Sequence, residues 1–134
     1  MGARDIPDDV RELLRKYIET YEQLEVLLLL RREGGGAWTP INIATRLNMP
    51  AALVDGALVS LQASGLVERR SAQPEHQFAC SMDQAINETL DRLEHCYLDR
   101  PTKIIELMST NAIERVRTSA LRTFTEAFVL RKDK

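Results

Sequence analysis

The stretch Pro40-Ile41-Asn42-Ile43-Ala44-Thr45-Arg46-Leu47-Asn48-Met49-Pro50-Ala51-Ala52-Leu53-Val54-Asp55-Gly56-Ala57 decides the fold. Thr39 is a capping residue and Pro40 is preset for a first helical turn, so the pair predicts a short helix running to about Leu47. Asn48 breaks it. Met49 and Pro50 restart the chain into a second helix, from Ala51 to about Ser64, whose end is marked by Gly65 with Leu66 behind it. Helices that meet across so tight a turn need a small residue where they touch, apolar residues around it, and a corner residue that tolerates positive φ. Ala44 is the small residue, and Ile43, Leu47, Met49, Val54 and Ala57 are the apolar ones. Asn48 suits the corner because its short amide side chain can bond locally.

Working outward toward the C-terminus, Leu58 and Leu61 extend the buried face of the second helix. The spelling then changes to Leu66-Val67-Glu68-Arg69-Arg70, a loop from Ser71 to Glu75 containing Pro74, and His76 to Cys80, which reads as a hairpin of two short strands. Ser81 and Gln84 form a capping box for a helix striped by Ile86, Leu90, Leu93 and Tyr97 that stops before Pro101. Pro101 opens the next helix through Ile104, Ile105, Leu107 and Met108. Asn111 is a candidate interruption, and Ile113, Val116, Ala120, Phe124 and Phe128 trace one face to Leu130. Toward the N-terminus, Val10, Leu13, Leu14, Tyr17 and Ile18 follow Pro7 at helical spacing, with Asp8, Asp9 and Glu12 near the positive end of the helix dipole. Thr20 and Gln23 form another capping box, which opens either a kink or a restart before the apolar Leu24 to Leu30 run. Arg31, Arg32 and the glycines Gly34 to Gly36 close that helix.

The 134 residues fit one domain, 1–134, with N-terminal helices over 1–36, the helix pair and hairpin over 37–81, and C-terminal helices over 82–134. A chain that is 44% apolar and 28% charged is globular, which excludes a disordered, collagenous or coiled-coil-only chain. Its formal net charge of -2 excludes a general nucleic-acid coat, so any nucleic-acid contact must come from a local patch. The longest apolar run, Val26 to Leu30, falls far short of the roughly 20 residues that span a bilayer. No apolar signal core sits near Met1, and Ile6 stands where a myristoylation signal wants Ser or Thr, so a cytoplasmic protein without a membrane partner is expected.

Catalytic and metal chemistry find no support in the sequence. Cys80 and Cys96 are too few and too far apart for a zinc set and read as reduced packing residues. His95 and Cys96 are neighbours on a helix, about 100° apart around its axis, and cannot grip one ion without ligands from elsewhere. Asp8 with Asp9 and Glu22 with Glu25 lie on helices whose polar faces need charge anyway. The triple glycine follows a helix and lacks a trailing Lys, unlike a phosphate-binding loop. No enzymatic activity, metal or cofactor is expected.

The segment Trp38 to Cys80 resembles the winged helix-turn-helix domain of bacterial transcription regulators, most like the MarR type, with helices on both sides of the reading head. That resemblance implies a mostly α (α+β) fold in which the second helix of the pair enters the major groove of double-stranded DNA. The hairpin is then a wing touching phosphates or the minor groove, and terminal helices from two subunits form a homodimer. One departure matters. The implied reading helix from Ala51 contains no Lys or Arg, so bidentate guanine reading is missing. Its outward positions are Ala51, Ala52, Asp55, Gly56, Val59 and Gln62, leaving Gln62 and Ser60 to bond base edges.

Positive charge near the head comes from Arg46, Arg69 and Arg70, which would hold phosphates, against Asp55, Glu68 and Glu75. Thr39 can offer a hydroxyl and helix-start amides to a phosphate, although capping its own helix takes precedence. So few cations give a shallow salt slope and weak binding per subunit, which a dimer doubles. The alternative is a protein-interaction module or adaptor whose small apolar face of Ala51, Ala52, Gly56 and Val59 packs on a partner helix. Ile113, Val116, Ala120, Phe124 and Phe128 read as the dimerisation seam. The basic tail Arg131-Lys132-Asp133-Lys134 complements the dipole of the last helix, and His76 beside the wing reads as a partly exposed packing residue.

Overall fold

The computed structural model describes residues 6–33, 38–69, 78–81 and 83–132, with side chains as far as 125. Arg70, His76, the triple glycine and the side chains of Phe128 and the basic tail lie outside the described residues. Among the described residues the order is α1(Asp8–Lys16), α2(Tyr21–Arg32), α3(Pro40–Leu47), α4(Ala51–Ala63), β1(Val67–Arg69), β2(Phe78–Cys80), α5(Gln84–Asp99) and α6(Pro101–Lys132).

The centre of the molecule is α2. Leu24 and every residue from Val26 to Leu30 are buried, so this helix is covered on all sides, by α4, α3 and β2. The chain restarts rather than kinks before it: Thr20 Oγ1 accepts from the Gln23 amide at 3.2 Å, and Gln23 Oε1 accepts from the Glu19 amide at 2.7 Å. At its far end Arg31 Nη1 donates to Asn87 Oδ1 at 3.0 Å and the guanidinium pairs with Asp91 and Glu94 of α5. Tyr97 on α5 donates its hydroxyl to Glu25 Oε2 at 3.0 Å.

Around α2 the same core takes in Val10, Leu13 and Leu14 of α1, Ile43 of α3, Val54, Ala57, Leu58 and Leu61 of α4, Leu66, Val67 and Phe78 of the hairpin, Leu90 and Leu93 of α5, and Ile104 and Met108 of α6. Helix α1 packs on α5 and α6, where Asp9 accepts from Thr89 at 3.0 Å and from Arg92 Nε at 2.7 Å. The hairpin is antiparallel, with Val67 opposite Cys80 and Arg69 opposite Phe78. Trp38 adds a bridge on the other side of Phe78, exchanging backbone hydrogen bonds of 2.9 and 2.8 Å with it.

Local expectations fail in three places. Tyr17 is the C-cap of α1 and 43% exposed, whereas Ile18, beyond the helix end, is fully buried. The Ser81 and Gln84 capping box does not form: Asp83 caps α5 by accepting from the Ile86 amide at 3.1 Å, and Ser81 Oγ accepts from the Asp83 amide at 3.1 Å. Asp83 wins because a carboxylate also answers the positive end of the helix dipole. Asn111 does not interrupt α6, which runs unbroken from Pro101. The stripe read as a dimerisation seam lies on an exposed face of α6, with Ile113 58% and Val116 70% exposed.

Candidate nucleic-acid interface

The head of the molecule is set by the α3–α4 corner. Thr39 Oγ1 accepts from the Asn42 amide at 3.2 Å, so its hydroxyl caps α3. Asn48 sits in the left-handed region, φ 55 and ψ 48, and its amide reaches back to the carbonyls of Ala44 and Thr45. That one residue turns the chain, because few side chains other than Asn tolerate this conformation cheaply. Pro50 then precedes α4, whose inner face of Val54, Ala57, Leu58 and Leu61 seats on α2. At the end of α4, Gly65 takes φ +85 and the Leu66 amide bonds the Leu61 carbonyl at 3.1 Å, which feeds β1.

Seating α4 this way turns Ala51, Ala52, Asp55, Gly56, Val59, Ser60 and Gln62 outward, all of them exposed. Asp55 is the only charged residue of α4. Nothing lies within 4 Å of the position a Cβ would take at Gly56, so this face is open. Two apolar residues that the sequence reading did not assign to a surface flank it: Ile41 on α3 is 73% exposed and Leu53 is 45% exposed. Leu53 lies about 100° around the helix from the buried Val54, which places it at the margin of the inner face.

Arg46 and Thr39 end up less available than their positions suggest. Arg46 is ion-paired with Glu33, the C-cap residue of α2, and the Glu33 carbonyl also accepts from Trp38 Nε1 at 3.2 Å. Arg69 is exposed on β1, one strand away from α4. Cys80 in β2 is half-buried and contacts the Leu27 carbonyl at 3.8 Å; burial pushes its thiol up to about 11, so it is no reactive centre. Among the described residues no group of His, Cys, Asp and Glu is placed to hold a metal, and no helix is long and apolar enough to cross a membrane.

No protein-family model matches the chain, and no curated protein matches it by sequence. Solved structures match by fold. MepR, a transcription regulator of the Staphylococcus aureus multidrug efflux pump MepA, has a TM-score of 0.54 at 16% identity over 95% of this chain and 93% of MepR. A MepR mutant bound to an oligodeoxyribonucleotide gives 0.52 at 15% identity over 89% of this chain and 90% of the other. The homodimeric winged helix-turn-helix DNA-binding domain Mb0332 of Mycobacterium bovis, a possible ArsR-family transcriptional regulator, gives 0.55 at 20% identity over 69% of this chain and 82% of that one. With Asn48 at the corner, α4 turned outward beside a two-stranded hairpin and helices flanking both, the chain has the winged helix-turn-helix fold of MarR- and ArsR-type transcription regulators.

Proposed function

We propose that the chain is a non-enzymatic transcription regulator that holds double-stranded DNA as a homodimer. The observation that carries this reading is the seating of α4: its apolar face is spent on α2 while Ala51, Ala52, Asp55, Gly56, Val59 and Gln62 are exposed, and among the described residues no other element covers them. The DNA-bound MepR mutant and the homodimeric Mb0332 domain, alike in fold, support it. In this reading Arg69 and Arg70 hold phosphates from the wing and Ser60 and Gln62 face base edges. Arg46 joins them by exchanging Glu33 for a phosphate, and the Thr39 hydroxyl remains a cap. The helices of 1–36 and 82–134 form the dimerisation part, with Ile113, Val116, Ala120, Phe124 and Phe128 as its seam; the first four are exposed.

A mobility-shift titration on random duplex at two salt concentrations tests it. The intact chain is expected to retain duplex at low salt and lose it as salt rises, and R69A/R70A is expected to weaken retention and flatten the salt dependence. Unchanged retention by the double variant overturns the assignment of the wing.

A second reading is favoured by the absence of Lys and Arg from α4: the outward face is a protein-docking surface for a partner helix. It expects no retention on duplex even at about 50 mM salt, where the phosphate contribution is strong.

A further inference from the structure

The outward side of α4 carries a single charge, and it is negative. Asp55 is exposed, and its neighbours one turn away on either side, Ala51, Ala52, Leu58 and Val59, are all apolar. Among the described residues its carboxylate has neither a hydrogen bond nor an ion pair, whereas Asp9, Glu12 and Glu33 are each claimed by an arginine. We propose that Asp55 sets the sequence preference of the head by accepting a hydrogen bond from the N4 amine of a cytosine in the major groove. The inference rests on the DNA-binding reading and names a base that α4 selects.

Asp55 and Gln62 are two helical turns apart, which puts them within about 20° of each other around the axis and roughly 10 Å apart along it. They form one polar line on a flank that the residues seated on α2, Val54, Ala57, Leu58 and Leu61, leave exposed. A side chain as short as aspartate reaches a base edge only where the helix comes close, and at the next residue, Gly56, nothing lies within 4 Å of the position a Cβ would take. Chemistry then chooses the base. An ionised carboxylate can only accept, so it is repelled by guanine O6 and N7 and by thymine O4, and is drawn to the amines of cytosine and adenine. Adenine sets its N7 acceptor beside the amine, against the second carboxylate oxygen, while cytosine has only a C–H there. The same negative charge is repelled by phosphates, so a duplex that offers Asp55 no amine is held less tightly. A helix without Lys or Arg thus discriminates by what it rejects.

Selection of duplexes from a random pool by the full chain at about 50 mM salt, where phosphate contacts are strong, tests it, with fluorescence anisotropy reading the affinity of the selected duplex and of its single-base variants. The parent is expected to select a cytosine at one position of the site, and replacing that base by thymine is expected to weaken binding at least about fivefold. D55N is expected to move the preference there to adenine, whose N6 and N7 an amide bonds together, and Q62A to leave the cytosine preference unchanged. D55A is expected to lose the preference at that position while binding unselected duplex more tightly than the parent, a gain that a loss of folding does not produce. Duplex retained with the same preference by the parent, D55N and D55A, duplex retained by the parent without any sequence preference, or no tighter binding of unselected duplex by D55A each overturns the assignment of Asp55 alone. Retention of duplex by neither the parent nor D55A overturns the DNA-binding reading and this inference with it.

Discussion

Asn48 sets the α3–α4 corner, which needs a residue at φ 55 that the chain supplies as a non-glycine one. Asn48→Gly keeps both the conformation and the backbone N–H that bonds the Ala44 and Thr45 carbonyls, and thermal unfolding is expected to shift little. Asn48→Val places a β-branched side chain in the left-handed region at a cost of about 1–2 kcal/mol, which lowers the midpoint by roughly 4–8 °C in a chain of this size. A valine variant as stable as the parent would show that the corner does not depend on this conformation. Asp9 makes a different residue-scale statement. Burial alone would raise its pKa, but the hydrogen bonds from Arg92 and Thr89 outweigh burial and hold the carboxyl below its ordinary value. A depressed folded-state pKa stabilises the native chain above the unfolded value, near 3.9, and that contribution is lost as pH falls through the folded-state value. Asp9→Asn is thus expected to lower stability at neutral pH and to make the acid limb of a stability-against-pH curve less steep, with parent and variant converging at low pH.

At the scale of elements, what the sequence disclosed is where local chemistry and global packing agree. Thr39, Pro40, Asn48 and Gly65 each mark a boundary that the backbone demands, so α3 and α4 were legible to within about a residue. The Thr20 cap was equally clear. Other features depended on what lies across the chain. The Trp38 bridge to Phe78 joins residues forty apart, and no local spelling announces it. Asn111 reads as a helix breaker by propensity, yet α6 continues through it without interruption. Arg46 reads as a phosphate holder until Glu33, thirteen residues away on α2, is seen to claim it. The openness of α4 has its own consequence. Gly56 is mid-helix with nothing near its missing Cβ, so Gly56→Ala adds helix propensity without a clash. A gain of roughly 0.5–1 kcal/mol in urea unfolding is expected. A loss would mean that a neighbour closes on this face in solution.

For the whole molecule, the deciding quantity is how many phosphates one particle neutralises. The chain is acidic overall, at -2, and in the DNA-binding reading the wing contributes Arg69 and Arg70, while Arg46 must first leave Glu33. Two phosphates per protomer give a slope of log affinity against log salt of about -2, too shallow for stable retention; a dimer that presents both wings to one duplex doubles it to about -4. In the proposed reading dimerisation is thereby a condition of binding, and the seam proposed for it is on α6, where Ile113 and Val116 are both exposed. I113E/V116E puts like charges across a two-fold seam, and light scattering is expected to show a particle of half the parent's mass that remains folded, since neither side chain contributes to the core. Its salt slope is expected to fall by about half. A variant that turns monomeric yet keeps the parent slope would place the phosphate contacts on one protomer, outside the wing. A parent slope much steeper than about -4 would bring in further cations, and the basic residues beyond Phe128 are the first to substitute.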